Sequence, residues 1–173
     1  MRAALADVLA ALDRDDARAA FRAIAAANPG GLGDAPQQDV RAEPTLDLRQ
    51  AMALAASRDS IARQYAQGYA DLFEHGLPRC GHGIDSTAVQ RVFLGYLARW
   101  PDSHIVRKHG EAVAQTVMST AQAFESAAGC ENQAALDAWD DTLKATGLNP
   151  GTSADLTVVT LQLALLWLPW HGS

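Results

Sequence analysis

The sequence has little of what several fold and function classes require. Aromatic residues make up 6% of its 173 residues, and 14 basic residues face 20 acidic ones, which gives a net charge of −6. This charge excludes a general nucleic-acid binder or a binder of anionic membranes, because both need a basic surface. The sequence has two cysteines, Cys80 and Cys130, far apart in the chain. They form no disulfide framework, so we expect free thiols and a cytoplasmic location.

Long hydrophobic runs and strand patterns are also missing. The most apolar run, residues 156–168, is thirteen residues long, whereas a membrane span needs about twenty. The first residues carry Asp7 within their apolar face and lack the continuous hydrophobic region of a signal peptide. No segment alternates apolar and polar residues as a half-buried strand does. We therefore expect no membrane association and no β-sheet.

Helical periodicity is present along almost the whole chain. Apolar residues recur at three- and four-residue spacing, and 49% of all residues are hydrophobic, which predicts one all-α domain over residues 1–173, a compact multi-helix bundle. The predicted helices cover residues 4–12, 15–27, 46–56, 58–74, 86–99, 103–126 and 134–146, with a last helix after residue 150. Two predicted loops cover residues 28–45 and 75–85. Because residues 156–167 are apolar on every side, we expect the last helix to be the most buried.

The motif "NPGTSADLT", Asn149–Thr157, has two interpretations. The chain breakers Pro150 and Gly151 precede two hydroxyl residues that can cap the helix that follows. A helix start also presents free N–H groups and a partial positive charge, which suit a phosphate. Asp155, in the first turn, can satisfy the helix dipole or hold a metal ion that bridges phosphates. The residues alone leave both interpretations open.

A second motif, "NPGGLG", covers residues 28–33. Its spacing matches neither a dinucleotide fingerprint nor a Walker loop. Gly30, Gly31 and Gly33 allow a ligand to approach the backbone closely, but a helix end followed by a turn explains them equally well.

Two charged stretches can bind a polyphosphate or can form solvated, salt-bridged helix faces. The stretch "HIVRKHGE" places on one predicted helix face His104, Arg107, Lys108 and Glu111. The stretch "SRDSIARQY" groups Arg58, Asp59, Arg63 and Gln64.

A zinc site is not predicted. His75, Cys80 and His82 lie within eight positions, but no fourth ligand is near and the spacing matches no structural zinc pattern. We expect a polar loop there.

Three stretches together resemble the triphosphoribosyl-dephospho-CoA synthase family, whose members serve citrate lyase and malonate decarboxylase. They are "LNPGTSADLT", "RKHGEAVAQ" and "NPGGLG" with the downstream "EPTLDLRQAMALAASRD". The first is the specific part of a resemblance that covers nearly all of the chain, and the similarity is greatest to the C-terminal portion and to the branch found in methylotrophs and archaea. Some members of that branch occur with tetrahydromethanopterin-type one-carbon pathways.

The resemblance implies an all-helical transferase that depends on a divalent cation, Mg²⁺. In the family's reaction the ribose 2′-hydroxyl of 3′-dephospho-CoA attacks C1 of the ATP ribose, and adenine leaves. Carboxylates for catalysis and for the metal would come from Asp39 and Asp155. The implied substrate-binding residues are Gly30, Gly31, Gly33, Arg58, Arg63, Arg107, Lys108, Asn149, Gly151, Thr152 and Ser153. We expect "NPGGLG", "RKHG" and "NPGTSAD" to converge on one triphosphate pocket.

The sequence departs from the family in one respect. Family members are longer and carry N-terminal motifs of the "TPKPGLVD" kind, which are missing here. We therefore expect a truncated or split member that acts on ATP and dephospho-CoA or a related phosphorylated precursor, with a partner chain that supplies the missing motifs, or as a homo-oligomer. The alternative is a non-catalytic domain that binds a nucleotide or a partner chain.

Overall fold

Helices form all the regular secondary structure of the described residues. This computed structural model describes residues 2–28, 35, 37–81, 83–126 and 132–167, and within these ranges it contains no β-strand. The all-α prediction is confirmed. The chain divides into two compact units, residues 1–69 and 70–173. The prediction that residues 1–173 form a single domain stays a prediction.

The first unit contains helices whose starts are fixed by aspartates. Its helices are α1 (Arg2–Ala11), α2 (Arg14–Ala27), α3 (Leu48–Ala55) and α4 (Ser60–Gln67). Asp13, Asp47 and Asp59 accept hydrogen bonds from the first backbone N–H groups of α2, α3 and α4, as short acceptor side chains do at the N-cap. Helix α3 packs against both α2 and α4.

The second unit is built around the hydrophobic contacts of α6 and α8. Its elements are a π-helical turn (Leu72–Gly76), α5 (Leu77–Cys80), α6 (Ser86–Leu97), α7 (Ser103–His109), α8 (Glu111–Ser126), α9 (Gln133–Ala145) and α10 (Gly151–Trp167). Its core contains the larger apolar residues Leu94, Leu97, Ile105, Val117, Leu136 and Leu143 together with alanines. Phe93, Trp139 and Leu148 are partly buried against this core.

Two predicted helices are interrupted at glycines. The prediction of one helix over residues 58–74 is wrong, because Gly68 adopts φ +65° and ends α4. The prediction of one helix over residues 103–126 is wrong as well, because Gly110, with φ +88°, separates α7 from α8. Glycine adopts these left-handed angles without a steric penalty and therefore ends helices often.

The segment predicted as a loop over residues 75–85 is partly helical. Its first residues complete the π-helical turn and form α5, with Pro78 near the start of α5. Proline is compatible with a helix start because the first N–H groups need no partner within the helix.

Helix α10 is only half covered by its neighbours, so the prediction that it is the most buried helix is not supported. Its inner side packs against α5, α6 and α7. Its outer side exposes 63% of Val158 and 69% of Leu166. Because α10 is apolar on every side, the sequence predicted that other helices would cover every side of it. The described residues cover one side only.

None of the helices in the described ranges is both long enough and apolar enough to cross a bilayer.

Candidate functional site

The starts of α7 and α10 meet at one buried carboxylate, that of Asp102, which is 2% exposed. Its Oδ1 caps α7 by accepting hydrogen bonds from the backbone N–H groups of His104 (2.9 Å) and Ile105 (3.2 Å). Its Oδ2 accepts hydrogen bonds from the N–H (2.7 Å) and the hydroxyl (2.8 Å) of Ser153 at the start of α10. One carboxylate therefore serves two helix starts, through residues that are 51 positions apart.

The two hydroxyl residues of "NPGTSAD" take part in this junction. Thr152 and Ser153 are 6% and 4% exposed. Thr152 Oγ1 accepts a hydrogen bond from the N–H of His104 at 3.2 Å. The anion at the start of α10 in this structure is thus the protein's own Asp102, and a phosphate would have to compete with it for Ser153. The predicted phosphate role of these hydroxyls stays a prediction.

His104 lies between the two helix starts. A Cβ placed on Gly151 would lie 3.6 Å from the imidazole Cγ and Nδ1, so the ring is in contact with the first residue of α10. Arg107 Nη2 is 3.4 Å from Nδ1. The Nε2 atom is buried and has no hydrogen-bond partner within the described ranges.

Burial and the neighbouring positive charges lower the pKa of His104. Burial lowers the pKa of His104, and the positive charges of Lys108 and Arg107 lower it further, while Asp102 and Asp155 act in the opposite direction. Groups that shift a pKa in this way are close neighbours. The charged residues of "RKHG" and "NPGTSAD" therefore share one region of the second unit.

The charged side chains of this region are accessible to solvent. Arg107, Lys108 and Asp155 are exposed, unlike the buried Asp102. The prediction that Glu111 shares their helix face is wrong, because Gly110 ends α7 and Glu111 begins α8. Asn149 is exposed and Gly151 is partly buried at the start of α10.

Asp39, in the first unit, organises its own loop. Its carboxylate accepts hydrogen bonds from the N–H groups of Ala35 (3.1 Å) and Arg41 (2.9 Å), and Arg41 Nη1 lies 3.4 Å away. The backbone hydrogen bonds from Arg41 and Ala35 hold the pKa of Asp39 below its usual value. A carboxylate with a lowered pKa suits a cation better than it suits proton abstraction near neutral pH.

The other candidates of the first unit are only partly described. Arg58 is exposed after α3, and Arg63 is partly buried in α4. Gly30, Gly31 and Gly33 lie outside the described residues. The convergence of "NPGGLG" with the other two motifs therefore stays a prediction, whereas the geometry of the second unit brings "RKHG" and "NPGTSAD" together.

The residues considered for zinc have other contacts. The ring of His75 is 2.9 Å from the carbonyl oxygen of Gly95 through Nε2 and 3.0 Å from Arg79 Nη1 through Nδ1. Cys80 is a free, buried thiol, and burial raises its pKa. His82 and Cys130 lie outside the described residues, so the predictions about zinc and about two free thiols stay predictions.

A bound magnesium ion would depend on its substrate. Within the described ranges, no group of three or more histidine, cysteine or carboxylate side chains could hold a metal ion. Mg²⁺ is often held by one or two carboxylates together with substrate phosphates and water. The exposed Asp155, close to two cations that can bind phosphate, fits that arrangement.

Sequence reasoning missed Asp102. The only local signal was "WPDS" (residues 100–103), which predicted a helix start. A cap pattern identifies donors in its own helix, so the second set of donors on α10 could not be inferred from it.

Comparisons with known proteins point to one family. A family model described as "CitG: ATP:dephospho-CoA triphosphoribosyl transferase" matches residues 1–172. A 2-(5''-triphosphoribosyl)-3'-dephosphocoenzyme-A synthase of Pectobacterium atrosepticum is 34% identical over 111 residues, which are 61% of this chain and 34% of that protein. A protein of Pectobacterium carotovorum, named "Probable 2-(5''-triphosphoribosyl)-3'-dephosphocoenzyme-A synthase", is 33% identical over 111 residues, with the same coverage of each chain.

The aligned region thus spans about a third of the length of these curated relatives. No solved structure matches the chain significantly. Because the family model covers nearly every residue, the chain belongs to the CitG family of ATP:dephospho-CoA triphosphoribosyl transferases.

Proposed function

We propose that this chain binds ATP and 3′-dephospho-CoA and takes part in the transfer of the triphosphoribosyl group between them. The observation that carries the proposal is the junction of α7 and α10, where His104 bonds to Thr152 of α10 and Arg107 Nη2 lies 3.4 Å from its ring, with Lys108 on α7 and Asp155 in the first turn of α10. Exposed cations beside an exposed carboxylate suit a triphosphate with its divalent ion. Membership of the family supplies the reaction.

In that reaction the ribose 2′-hydroxyl oxygen of dephospho-CoA forms a bond to C1 of the ATP ribose. The bond from C1 to adenine breaks, and its electron pair leaves with adenine, which takes up a proton. The products are 2′-(5″-triphosphoribosyl)-3′-dephospho-CoA and adenine. Positive charge develops on the sugar, so a nearby carboxylate stabilises the transition state. Asp155, in the second unit, is our candidate for that carboxylate.

Magnesium, when bound, would neutralise part of the triphosphate charge. Asp155 would hold it together with the phosphate oxygens. Arg107 and Lys108 would bind the phosphates, with further donors at Asn149 and Gly151.

Binding is tested by thermal shift with ATP, dephospho-CoA and CoA, each with and without Mg²⁺. A ligand that binds only the folded chain raises the apparent melting temperature. We expect ATP and dephospho-CoA to stabilise the protein and Mg²⁺ to increase the shift with ATP. Release of free adenine from ATP, followed by chromatography, tests the reaction itself. No stabilisation by either nucleotide would contradict the proposal.

Substitutions locate the binding. Asp155→Asn should abolish the Mg²⁺-dependent part of the ATP shift. Asp85→Asn is the matched control, because Asp85 is also an exposed aspartate at a helix start in the second unit and asparagine caps a helix well. Arg107→Lys should weaken ATP binding, because an ammonium cannot make the bidentate contact of a guanidinium with phosphate. Equal effects of Asp155→Asn and Asp85→Asn would contradict the metal role.

A related cofactor precursor is the second acceptor that we propose to test. The resemblance of the motifs to the branch of methylotrophs and archaea supports it, and a pterin-type phosphorylated precursor also presents phosphates and a heterocycle. Release of adenine from ATP with such a precursor, and not with dephospho-CoA, would favour this acceptor.

The alternative function, a non-catalytic domain that binds a partner, is supported by the outer side of α10. Val158, Val159, Leu165 and Leu166 are all exposed there, and contiguous apolar surface is typical of contact sites. A second copy of this chain would cover it in a homo-oligomer. Light scattering after gel filtration tests this, with Leu166→Gln expected to shift an oligomer toward the monomer. A wild-type monomer would contradict it.

A further inference from the structure

A cavity of about 510 Å³ lies in the second unit, beside the junction of α7 and α10. Helices α6 and α9 and the segment that precedes α10 form its walls. Its apolar lining consists of Phe93, Leu94, Leu136, Trp139, Leu143 and Leu148. The volume lies within the range of about 300–1,000 Å³ that small-molecule sites occupy, and a mostly apolar lining is typical of them.

The aromatic part of the lining is held in place. Trp139 is partly exposed toward the cavity, and its ring centroid lies 5.1 Å from that of Phe124 at an interplanar angle of 30°. Both rings are part of the shell around the core. A tryptophan fixed in this way offers a flat surface on which a heterocycle can stack at a small cost in side-chain entropy.

The polar rim of the cavity is a chain of hydrogen bonds. Gln90 Nε2 donates to Gln133 Oε1 at 2.7 Å, and Gln133 Nε2 donates to Asp137 Oδ1 at 2.6 Å. Amide and carboxylate oxygens have further lone pairs and can accept hydrogen bonds from an exocyclic amine.

The charge of the rim disfavours a phosphate. The cation on the rim, Lys144, forms an ion pair with Asp140, and Asp137 adds a further negative charge. An anion would meet net repulsion here. The ligand that this cavity suits is therefore flat, uncharged and rich in donors.

We propose that this cavity binds the adenine base of the nucleotide whose phosphates bind at the junction of α7 and α10. The inference rests on the proposed function, since both proposed substrates carry adenine. Asn149 and Pro150 line the cavity and directly precede Gly151, the first residue of α10. The base and the phosphates would thus lie on either side of the "NPG" turn, the base on Trp139 and the phosphates near Arg107.

NMR titration of the full chain tests this assignment. The indole N–H signal of Trp139 is identified from its loss in Trp139→Phe. Adenosine should shift the signals of Trp139 and of the Asn149 side chain. Inorganic tripolyphosphate should instead shift the backbone signals of Arg107 and Lys108. Adenosine that leaves both cavity signals unmoved would overturn the inference.

Variants make the test quantitative. Trp139→Leu should weaken adenosine binding about tenfold, which is the loss expected for one base–aromatic stack, with little change in tripolyphosphate binding. Asp137→Asn is a second variant, which keeps the test valid if Trp139→Leu does not fold, because Asp137 is exposed. It should lower the preference for adenosine over inosine, which lacks the exocyclic amine. Unchanged adenosine affinity in both variants would overturn the inference.

The outcomes separate this inference from the proposed function. If ATP stabilises the protein but adenosine does not reach the cavity, the base site is wrong and the function stands. If adenosine binds in the cavity but no adenine is released from ATP with any acceptor, the base site stands and the function is wrong. A pterin that binds in the cavity in place of adenosine would overturn the purine assignment.

Discussion

The two sides of α10 depart from the distribution that is usual in a surface helix. The inner side mixes apolar residues with hydroxyls: Leu156 and Ala164 are buried, and Ser153, Thr157 and Thr160 are at most 4% exposed. The outer side carries apolar residues, of which Val158 is 63% and Leu166 is 69% exposed. A surface helix normally directs its apolar side toward the core.

The buried hydroxyls show that hydrogen bonds help to position α10, together with the apolar contacts of Leu156 and Ala164. Thr157 and Thr160 donate to the carbonyl oxygens four residues before them, at 2.7 and 2.8 Å, so their hydroxyls are satisfied without water. Thr160 Oγ1 also lies 2.7 Å from Tyr96 Oη. Small, bonded side chains let the neighbouring helices approach closely.

The largest effect is expected at the junction that fixes the start of α10. Asp102→Ala leaves the N–H groups of Ile105 and Ser153 and the hydroxyl of Ser153 without their acceptor, so we expect a loss of about 3 kcal/mol in the free energy of unfolding. The control is Asp85→Ala, the removal of an exposed cap, which should cost about 1 kcal/mol. Urea unfolding followed by circular dichroism measures both. Equal losses would mean that Asp102 acts only as a local cap.

A methyl group added next to the inner side of α10 is expected to have the next largest effect. In Gly76→Ala the new Cβ would lie 2.2 Å from Tyr96 Oη and 2.6 Å from Thr160 Oγ1, and such overpacking costs about 2 kcal/mol. Gly83→Ala is the control, because nothing lies within 4 Å of its Cβ position. Adding Tyr96→Phe should restore part of the loss, since it removes the nearest atom. A Gly76→Ala protein as stable as the wild type would contradict the close approach.

The sharpest comparison exchanges threonine and valine on the two opposite sides of α10. Thr160→Val removes a buried hydroxyl and leaves Tyr96 Oη without its partner, so we expect a loss of about 1 kcal/mol. Val158→Thr, on the exposed side, should change stability by less than about 0.5 kcal/mol. Thermal and urea unfolding of the two variants measure the difference. If Val158→Thr is the more damaging change, the outer side is covered in solution.

The smallest effect expected is a pH dependence from His104. Its pKa is lowered in the folded chain, chiefly by burial and then by Lys108 and Arg107, whereas the unfolded value is about 6.5. The unfolded chain therefore binds more protons, and stability is complete above about pH 6.5 and falls as pH decreases toward the folded pKa. His104→Gln should flatten this fall, and the exposed His109→Gln should not. Identical pH profiles for the two variants would contradict the assignment. His75, whose pKa is also lowered by burial, should retain part of the slope.

The sequence predicted local features well and long-range features poorly. Helical spacing predicted most helices to within two residues, and "NPG" predicted the start of α10, because chain breakers act within a few residues. The prediction that Thr152 or Ser153 caps this helix is wrong, because α10 begins at Gly151 and the Ser153 hydroxyl donates to Asp102. The breaks at Gly68 and Gly110 were missed, since a glycine inside a periodic pattern is compatible with a continuous helix. Apolar composition misjudged α10, because exposure depends on which neighbours the chain supplies.

The candidate site was predictable in part for the same reason. The spacing of "RKHG" and the family resemblance identified Arg107, Lys108 and Asp155 as candidates. That these groups lie near His104 follows from the contact of α7 with α10. No local pattern predicts which helix starts will meet, and the second pair of hydrogen bonds to Asp102 was therefore invisible in the sequence.

The junction at Asp102 also bears on hydrogen–deuterium exchange. The N–H of Ser153 belongs to the first turn of α10, where amides usually exchange rapidly because no carbonyl of their own helix protects them. Here its acceptor comes from a residue 51 positions earlier, so exchange requires α7 and α10 to separate. The amides of Ser153 and His104 should therefore exchange slowly and at the same rate, and they report on a single opening of the second unit.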